Sequence, residues 1–202
     1  MDLNGVKMTT VDLNSDYWNT RYVQNKTGWD TGYANPIHVN YVLDNIDKTA
    51  RILIPGAGSG YELSKLWEKG FTNIFAIDLS EEARERFLSQ HPLFPKDQYL
   101  VGDFFELDHK FDLILEQTFF CAIDPQLRNK YAEKTWGILN QNGKLFGVLF
   151  SVKFEGGPPF GGNIQEYEKL FASKFSILKL ENCEDSISPR QGKELIIELM
   201  KK

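Results

Sequence analysis

Residues 51–60 are Arg51-Ile52-Leu53-Ile54-Pro55-Gly56-Ala57-Gly58-Ser59-Gly60, a short apolar run that ends in a glycine-rich turn. The apolar run predicts a buried strand, and the amphipathic pattern from Tyr61 to Lys69 predicts the helix that follows it. Apolar runs and amphipathic segments continue to alternate along the chain. This alternation is typical of right-handed βαβ units and of a mostly parallel sheet with helices on both faces.

The remaining predicted elements surround this first unit. Six further strands are predicted at 74–77, 99–101, 111–115, 144–150, about 175–180 and about 194–199. Helices are predicted from Ser15 to about Gln24 with Ser15 or Asp16 as the cap, from Pro36 to about Asn45, after Ser80, from Asp124 to about Gly137, and after Asn163. No helix separates the last two strands, so we expect a seven-stranded sheet with an antiparallel edge strand.

Composition narrows the possible partners of this 202-residue chain. The 23 Lys and Arg against 28 Asp and Glu give a formal net charge of −5, which provides no electrostatic footprint for nucleic acid. The longest apolar stretches are far shorter than a membrane span. Two cysteines are too few for a disulfide framework, and the three histidines show no metal-ligand spacing. We expect a cytoplasmic monomer that acts on a small molecule, without nucleic acid, membrane or metal.

Candidate ligand-binding residues follow the predicted strands, where open α/β sheets bind their ligands. The glycines after the first strand leave backbone and helix N–H groups open to a ligand. A carboxylate after the second strand can accept hydrogen bonds from both ribose hydroxyls, and an acid and a ring after the third suit an adenine amine and ring face. These residues are Gly56, Gly58 and Gly60, then Asp78, then Asp103 and Phe104.

The spacing of the glycines distinguishes between nucleoside cofactors. The dinucleotide fingerprint G-x-G-x-x-G requires glycine at position 61, where this chain has Tyr61. The third glycine is Gly60 instead, which gives the G-x-G-x-G spacing of S-adenosylmethionine sites. No Gly-Lys-Ser/Thr is present, so a phosphate-binding P-loop is excluded. The sequence predicts S-adenosylmethionine, and a nicotinamide dehydrogenase is the alternative that Tyr61 disfavours.

Five motifs resemble the thiopurine methyltransferase superfamily, with the strongest likeness to its plant-type thiol and halide methyltransferases. The likeness runs from about Tyr17 to the C-terminus, in the order of the family. The motifs are Tyr17-Trp18…Gly28-Trp29-Asp30, residues 54–60, Phe119-Phe120-Cys121-Ala122-Ile123, Gly156-Gly157-Pro158-Pro159-Phe160 and Pro189-Arg190-Gln191-Gly192-Lys193-Glu194.

The resemblance implies roles for particular residues. Trp18, Tyr22 (a Trp in the plant enzymes) and Trp29 would line the cofactor from an N-terminal cap. The glycine turn, Asp78, Asp103, Phe104 and Gln117 would hold the rest of the cofactor, and Arg128 stands where the thiopurine enzymes place an arginine beside the substrate. We therefore expect a single methyltransferase domain over residues 1–202, with a leader and cap helices in 1–48 and the α/β core in 49–202.

The activity implied is methyl transfer from S-adenosylmethionine to a small soft nucleophile: a thiol, bisulfide, thiocyanate or halide. Such acceptors are anionic, so the site has to align the atoms and exclude water rather than supply a strong base. Near the acceptor, Glu116-Gln117 replaces an Asp-Tyr and Phe150 replaces a Tyr of the plant enzymes. Alternatives are a thiopurine or aromatic-thiol acceptor, or a non-catalytic protein that binds the cofactor.

Several of these residues have structural alternatives. Instead of lining the cofactor, Trp18 and Trp29 would fasten an N-terminal helix to the core. Instead of lining the substrate side of the pocket, Phe119 and Phe150 would be core residues. For Arg128 the alternative is an ion pair with Glu116 or a surface carboxylate. The pair Arg190 and Lys193 is interpreted as solvated and is left outside the site, Cys121 as an apolar filler, and 156–162 as a lid or a stiff turn.

Overall fold

The computed structural model describes residues 12–202, so nearly all of the leader predicted for the first dozen residues lies outside the described residues. The strands are β1 (Ile52–Pro55), β2 (Ile74–Asp78), β3 (Tyr99–Val101), β4 (Phe111–Gln117), β5 (Leu139–Phe150), β6 (Phe175–Asn182) and β7 (Glu194–Lys201). The helices are α1 (Ser15–Val23), α2 (Pro36–Asn45), α3 (Tyr61–Glu68), α4 (Glu81–Gln90), α5 (Arg128–Ile138) and α6 (Ile164–Phe171).

All seven strands form one sheet in the order β3-β2-β1-β4-β5-β7-β6. The first five strands pair in parallel, because a helix or longer crossover separates each from the next. β7 is antiparallel to both of its neighbours and is inserted between β5 and the outermost strand β6. The mostly parallel seven-stranded sheet with antiparallel pairing at one edge is thus confirmed.

Helices cover both faces of the sheet, as predicted. On β1, Ile52 and Ile54 pack with α2, α3 and α4, whereas Leu53 packs with α5 and α6. This division follows from the alternation of side chains along a strand. Both faces are dry, because the central residues of β1 and β4 are fully or almost fully buried. Each sheet face therefore requires its helical layer.

The predicted N-caps of α4 and α6 are confirmed, whereas that of α1 differs. Ser80 caps α4 and Asn163 caps α6, each by accepting a hydrogen bond from a backbone N–H of the first turn. The cap of α1 is Asn14, whose side chain accepts from the N–H of Tyr17 at 3.0 Å. The prediction of Ser15 or Asp16 was wrong because both are already helical.

β4 and β5 are among the strands that are longer than predicted, and the extension of β4 moves candidate residues into the sheet. β4 continues to Gln117, so that Glu116 pairs with Gly147 and Gln117 with Val148 of β5. β5 begins at Leu139, directly after α5, instead of at 144. The segment after Asp124 starts as a 3-10 turn over Pro125–Leu127, and α5 begins only at Arg128.

Among residues 12–202, no helix is both long and apolar enough to span a membrane.

Candidate active site

A cavity of about 1090 Å³ lies at the carboxyl ends of the parallel strands. This is the end of an open α/β sheet at which ligands bind. Nine of the predicted site residues line it: Trp18, Tyr22, Trp29, Gly56, Asp78, Asp103, Phe104, Phe119 and Phe150. Gly58, Gly60, Gln117 and Arg128 lie outside its wall. The fold thus brings most of the predicted residues to one place.

Asp78, the last residue of β2, is a fixed hydrogen-bond acceptor in the cavity wall. One carboxylate oxygen accepts from the N–H of Gly58 and the other from the N–H of Ser80, both at 2.9 Å. Burial raises the pKa of this carboxyl group, and the backbone hydrogen bonds oppose that rise. Each oxygen has further lone pairs, so the carboxylate keeps the capacity to accept from a pair of ribose hydroxyls.

The three glycines adopt left-handed backbone conformations, but only Gly56 reaches the cavity. A Cβ on Gly58 would lie 2.4 Å from the hydroxyl oxygen of Tyr22, and one on Gly60 would lie 2.5 Å from the ring of Phe87. Side chains of the protein therefore fill the space next to these two glycines. The absence of a side chain at these two positions lets the cap and α4 approach the turn.

The third strand end offers an acid and two aromatic rings. Asp103 accepts from the N–H of Phe105 at 2.8 Å through one oxygen and leaves the other for a ligand amine. The ring of Phe104 is only 2% exposed and packs against Phe119 and Tyr131. The predicted open ring face of Phe104 is therefore absent, and its half-buried neighbour Phe105, which also lines the cavity, is the better candidate.

Residues 15–32, which we call the cap, close the cavity from the N-terminal side. The side-chain oxygen of Asn19 accepts from Ser80 Oγ and from the N–H of Glu82, both at 3.0 Å, and so fixes α1 to the start of α4. Farther along, Ser59 Oγ donates to Asp30 at 2.5 Å and joins the cap to the glycine turn. The cap thus spans from α4 to the first strand.

Aromatic rings form the inner surface of the cap. Trp29 meets Trp18 and Tyr22 edge-to-face, with ring centroids 5.5 and 5.8 Å apart. All three line the cavity. An aromatic face beside a sulfonium cation is worth roughly 0.5–2 kcal/mol, so this surface suits a positively charged sulfur.

Arg128 does not face the cavity. Its guanidinium forms an ion pair with Glu166 and donates to the carbonyl of Gly161 at 2.8 Å, with the ring of Phe120 4.8 Å from its centre. The structure thus corrects the placement of Arg128 beside the acceptor and favours the ion pair with a surface carboxylate. The partner, 38 residues away in sequence, could not be inferred from local pattern.

Arg190, unlike Arg128, lines the cavity. It is 7% exposed and lies 5.6 Å from the ring of Phe150. Its guanidinium donates to the carbonyl of Trp29 at 3.0 Å and reaches Glu194 only at 3.5 Å. The interpretation of Arg190 as solvated was wrong; the signal that would have found it is its position within the Pro189–Glu194 motif.

A buried carboxylate holds the turn after β4, whose residues Thr118, Phe119 and Cys121 line the cavity. Glu116 accepts from the N–H groups of Phe119 and Phe120, at 3.0 and 2.8 Å, and from the hydroxyl of Tyr131 at 2.6 Å. Burial raises its pKa to about 7. Within this turn, burial also raises the pKa of Cys121 to about 12, so that its thiol stays protonated and is no nucleophile at neutral pH.

The loop at 156–162 closes the same side of the cavity. Pro158 and Pro159 line it, and the N–H of Phe160 donates to the carbonyl of Cys121 at 2.7 Å. The loop is therefore tied to the turn that Glu116 holds.

The family model of thiopurine S-methyltransferase matches residues 13–202. The chain belongs to the thiopurine S-methyltransferase family. A probable thiol methyltransferase 2 of Arabidopsis thaliana is 32% identical over 184 residues, which cover 88% of this chain and 81% of the relative. The thiopurine S-methyltransferase of Acinetobacter baylyi is 24% identical, and the match covers 94% of that relative and 89% of this chain.

Solved structures with the same fold include methyltransferases with bound S-adenosylhomocysteine. The Burkholderia thailandensis 1,6-didemethyltoxoflavin-N1-methyltransferase superposes with a TM-score of 0.74 at 18% identity, over 93% of this chain and 87% of that one. The magnesium protoporphyrin IX methyltransferase of Synechocystis superposes with a TM-score of 0.71 at 14% identity, over 93% of this chain and 98% of that one. At these identities the likeness concerns the fold.

S-adenosylmethionine is the cofactor of this thiopurine S-methyltransferase family member, and the residues present fit it. Asp78 supplies acceptors for two ribose hydroxyls, Asp103 an acceptor for an amine, and the cap an aromatic surface for a sulfonium. The predicted use of S-adenosylmethionine is confirmed at the level of the family. The roles of these individual residues remain predictions.

Cap closure over the cofactor is testable by limited proteolysis. With S-adenosylhomocysteine at about 100 times its Kd, trypsin cleavage after Arg21 and Lys26 should slow by up to about 100-fold if opening of the cap releases the ligand. NAD at the same concentration should give no protection. Equal cleavage rates with and without S-adenosylhomocysteine would show that Trp18 and Trp29 only fasten the cap to the core.

Proposed function

We propose that this chain transfers the methyl group of S-adenosylmethionine to a small soft anion, namely a thiolate, bisulfide, thiocyanate or halide. The observation that carries the proposal is the buried guanidinium of Arg190 in the cavity wall, beside the ring of Phe150. Relatives named thiol methyltransferase and thiocyanate methyltransferase support the same class of acceptor.

The walls near Arg190 favour a weakly hydrated nucleophile. The rings of Phe150 and Phe154 lie 5.0 Å apart beside Arg190, and Phe119, Pro158 and Pro159 also line the cavity. Such walls exclude water, which strengthens an anion as a nucleophile because its hydration shell is lost. Large soft anions and thiolates lose less hydration energy than oxygen anions, so they enter an apolar pocket more readily.

Arg190 supplies the charge that holds the anion. Its contacts with Trp29 and Glu194 use two of its five N–H groups, and the 3.5 Å contact is at the limit of a hydrogen bond. A guanidinium also stays charged at any physiological pH. Glu194, which is 3% exposed, keeps Arg190 in place but does not satisfy all of its donors.

The cavity wall contains no histidine among residues 12–202. His38 is buried behind the wall, where desolvation lowers its pKa to about 4, and it bonds the carbonyl of Glu116 at 2.9 Å. Within the described part of the chain, no histidine is therefore placed in the cavity to act as a general base. An acceptor that arrives as an anion needs none.

S-adenosylmethionine supplies an electrophilic methyl group on a positively charged sulfur. When it is bound, transfer of that methyl group to an acceptor lone pair would leave a neutral thioether as the other product. The protein contributes alignment: Asp78 and the cap fix one partner, and Arg190 with the aromatic wall fixes the other.

The aromatic wall also favours a second candidate, a small aromatic thiol. Rings of Phe119 and Phe150 would stack on such an acceptor and add contact area that a halide lacks.

We also propose that the protein acts as a monomer in a reducing compartment such as the cytoplasm, on small molecules rather than nucleic acids. Both cysteines are free and buried, in keeping with reduced thiols. Size-exclusion chromatography with light scattering tests the monomer.

An acceptor panel with labelled S-adenosylmethionine tests the proposed activity. Methyl transfer to bisulfide, thiocyanate, iodide or thiophenol is the expected result, and no turnover on any of them would favour a non-catalytic binding protein. Arg190→Met should lower kcat/KM for anionic acceptors by about 10–100-fold, which corresponds to about 1.4–2.7 kcal/mol. Arg128→Met is the matched control: it should lower the free energy of unfolding and leave acceptor preference unchanged.

A further inference from the structure

Arg21 is the second arginine of the cavity wall, besides Arg190. It lies in the last turn of α1 and lines the cavity. Its guanidinium carbon is 5.3 Å from the ring centroid of Tyr17 and 6.0 Å from that of Trp29. The two rings hold the planar group in place from the cap side of the cavity.

The charge of Arg21 has no carboxylate partner within residues 12–202. Its Nε is buried and makes no hydrogen bond to the described part of the chain, and no ion pair of that part includes it. Arg128 and Arg190 each have a glutamate, Glu166 and Glu194. A buried N–H without an acceptor costs about 1–3 kcal/mol, and aromatic rings supply no acceptor in the guanidinium plane.

We propose that Arg21 binds the carboxylate of the amino-acid end of S-adenosylmethionine. Asp78 and Asp103 are candidate partners for the ribose and the adenine, and the aromatic surface of the cap suits the sulfonium. None of these groups can pair with the negatively charged carboxylate of the cofactor. The next residue on α1, Tyr22, places its hydroxyl against Gly58, so α1 lies directly over the glycine turn. A guanidinium there can form a planar two-bond pair with a carboxylate.

Other cations of the wall fit this role less well. Lys26 and Lys193 are exposed, and their ammonium groups are flexible point charges that cannot form the planar pair. Arg190 is at the Phe150 end of the cavity, where it is held by Trp29 and Glu194. Arg21 combines cavity access with a rigid position and an unpaired buried donor.

Calorimetry with two ligands tests this inference, which rests on the cofactor and not on the acceptor. S-adenosylhomocysteine carries the amino-acid end, whereas 5′-methylthioadenosine has the same nucleoside thioether without it. Arg21→Met should weaken S-adenosylhomocysteine binding by about 10–100-fold, or about 1.4–2.7 kcal/mol, and change 5′-methylthioadenosine binding by less than about twofold. Arg21→Lys should fall between, because it keeps the charge but loses the planar pair. Lys26→Met, a neighbouring cation of the same wall, is the control and should leave both affinities unchanged.

The ratio of the two affinities keeps the test valid even where a variant is less stable. Equal losses for both ligands would assign Arg21 to packing of the cap, and unchanged affinity for both would also overturn the inference. Failure of the wild-type protein to bind S-adenosylhomocysteine would instead contradict the use of the cofactor. Normal binding with no methyl transfer to any acceptor would contradict only the proposed function.

Discussion

Asp78→Ala should weaken binding of S-adenosylhomocysteine by about 100–1000-fold, which is about 2.7–4 kcal/mol. The variant loses the acceptors for two ribose hydroxyls. It also leaves the N–H groups of Gly58 and Ser80 without the carboxylate that fixes the glycine turn at 2.9 Å. Calorimetry measures the change directly, and thermal unfolding separates it from loss of fold.

Asp112→Ala is the matched control for this prediction. Asp112 likewise accepts two hydrogen bonds from the protein, from the N–H of Arg51 at 2.8 Å and from Asn140 at 2.7 Å, but it is exposed at the other end of the sheet. This variant should lose some stability and no ligand affinity. If Asp78→Ala bound S-adenosylhomocysteine within about threefold of the wild-type protein, Asp78 would not be the ribose ligand.

Glu116 should make the folded protein less stable as pH rises from about 4.5 to about 7. Burial raises its folded-state pKa to about 7 from 4.5 in the unfolded chain, so in this window the folded state holds the proton more tightly. The free energy of unfolding therefore falls with rising pH, by on the order of 3 kcal/mol across the window. Burial raises the pKa of Asp78 and Glu62 too, which adds to the same slope.

The variant Glu116→Gln isolates this contribution. Its amide keeps an oxygen for the N–H groups of Phe119 and Phe120 and carries no charge at any pH. Urea unfolding should give similar stabilities for variant and wild-type protein near about pH 5, and a more stable variant near about pH 8. A difference between the two that does not change with pH would mean that Glu116 is ionised in the folded protein at both values.

Glu198→Gln provides a control of opposite sign. Burial opposes ionisation of Glu198, but hydrogen bonds from Lys144 and Tyr41 lower its pKa below the ordinary value. Its ionised form therefore stabilises the fold above the unfolded pKa, and that contribution is lost as the pH falls through the folded pKa. Relative to the wild-type protein, Glu198→Gln should lose stability at neutral pH and less in acid.

The sequence by itself determined the sheet and the position of the ligand site. Buried parallel strands are nearly continuous apolar runs, and crossover helices have a 3.6-residue period, so Ile52–Pro55 and Tyr61–Glu68 are recognisable locally. The carboxyl ends of parallel strands lie at one edge, so residues next to them in sequence, such as Gly56, Asp78 and Asp103, meet there.

Only the tertiary structure decided which side chains face the cavity at its acceptor end. Both Arg128 and Arg190 are buried, but the first meets Glu166 on the helical layer and the second meets Trp29 across 161 residues. The positions of Tyr22 over Gly58 and of Phe87 beside Gly60 were equally hidden. Periodicity indicates which side chains share one face of a helix or strand, because that spacing follows from local geometry. Which partner a buried side chain meets depends on how distant elements pack, and no local pattern contains that information.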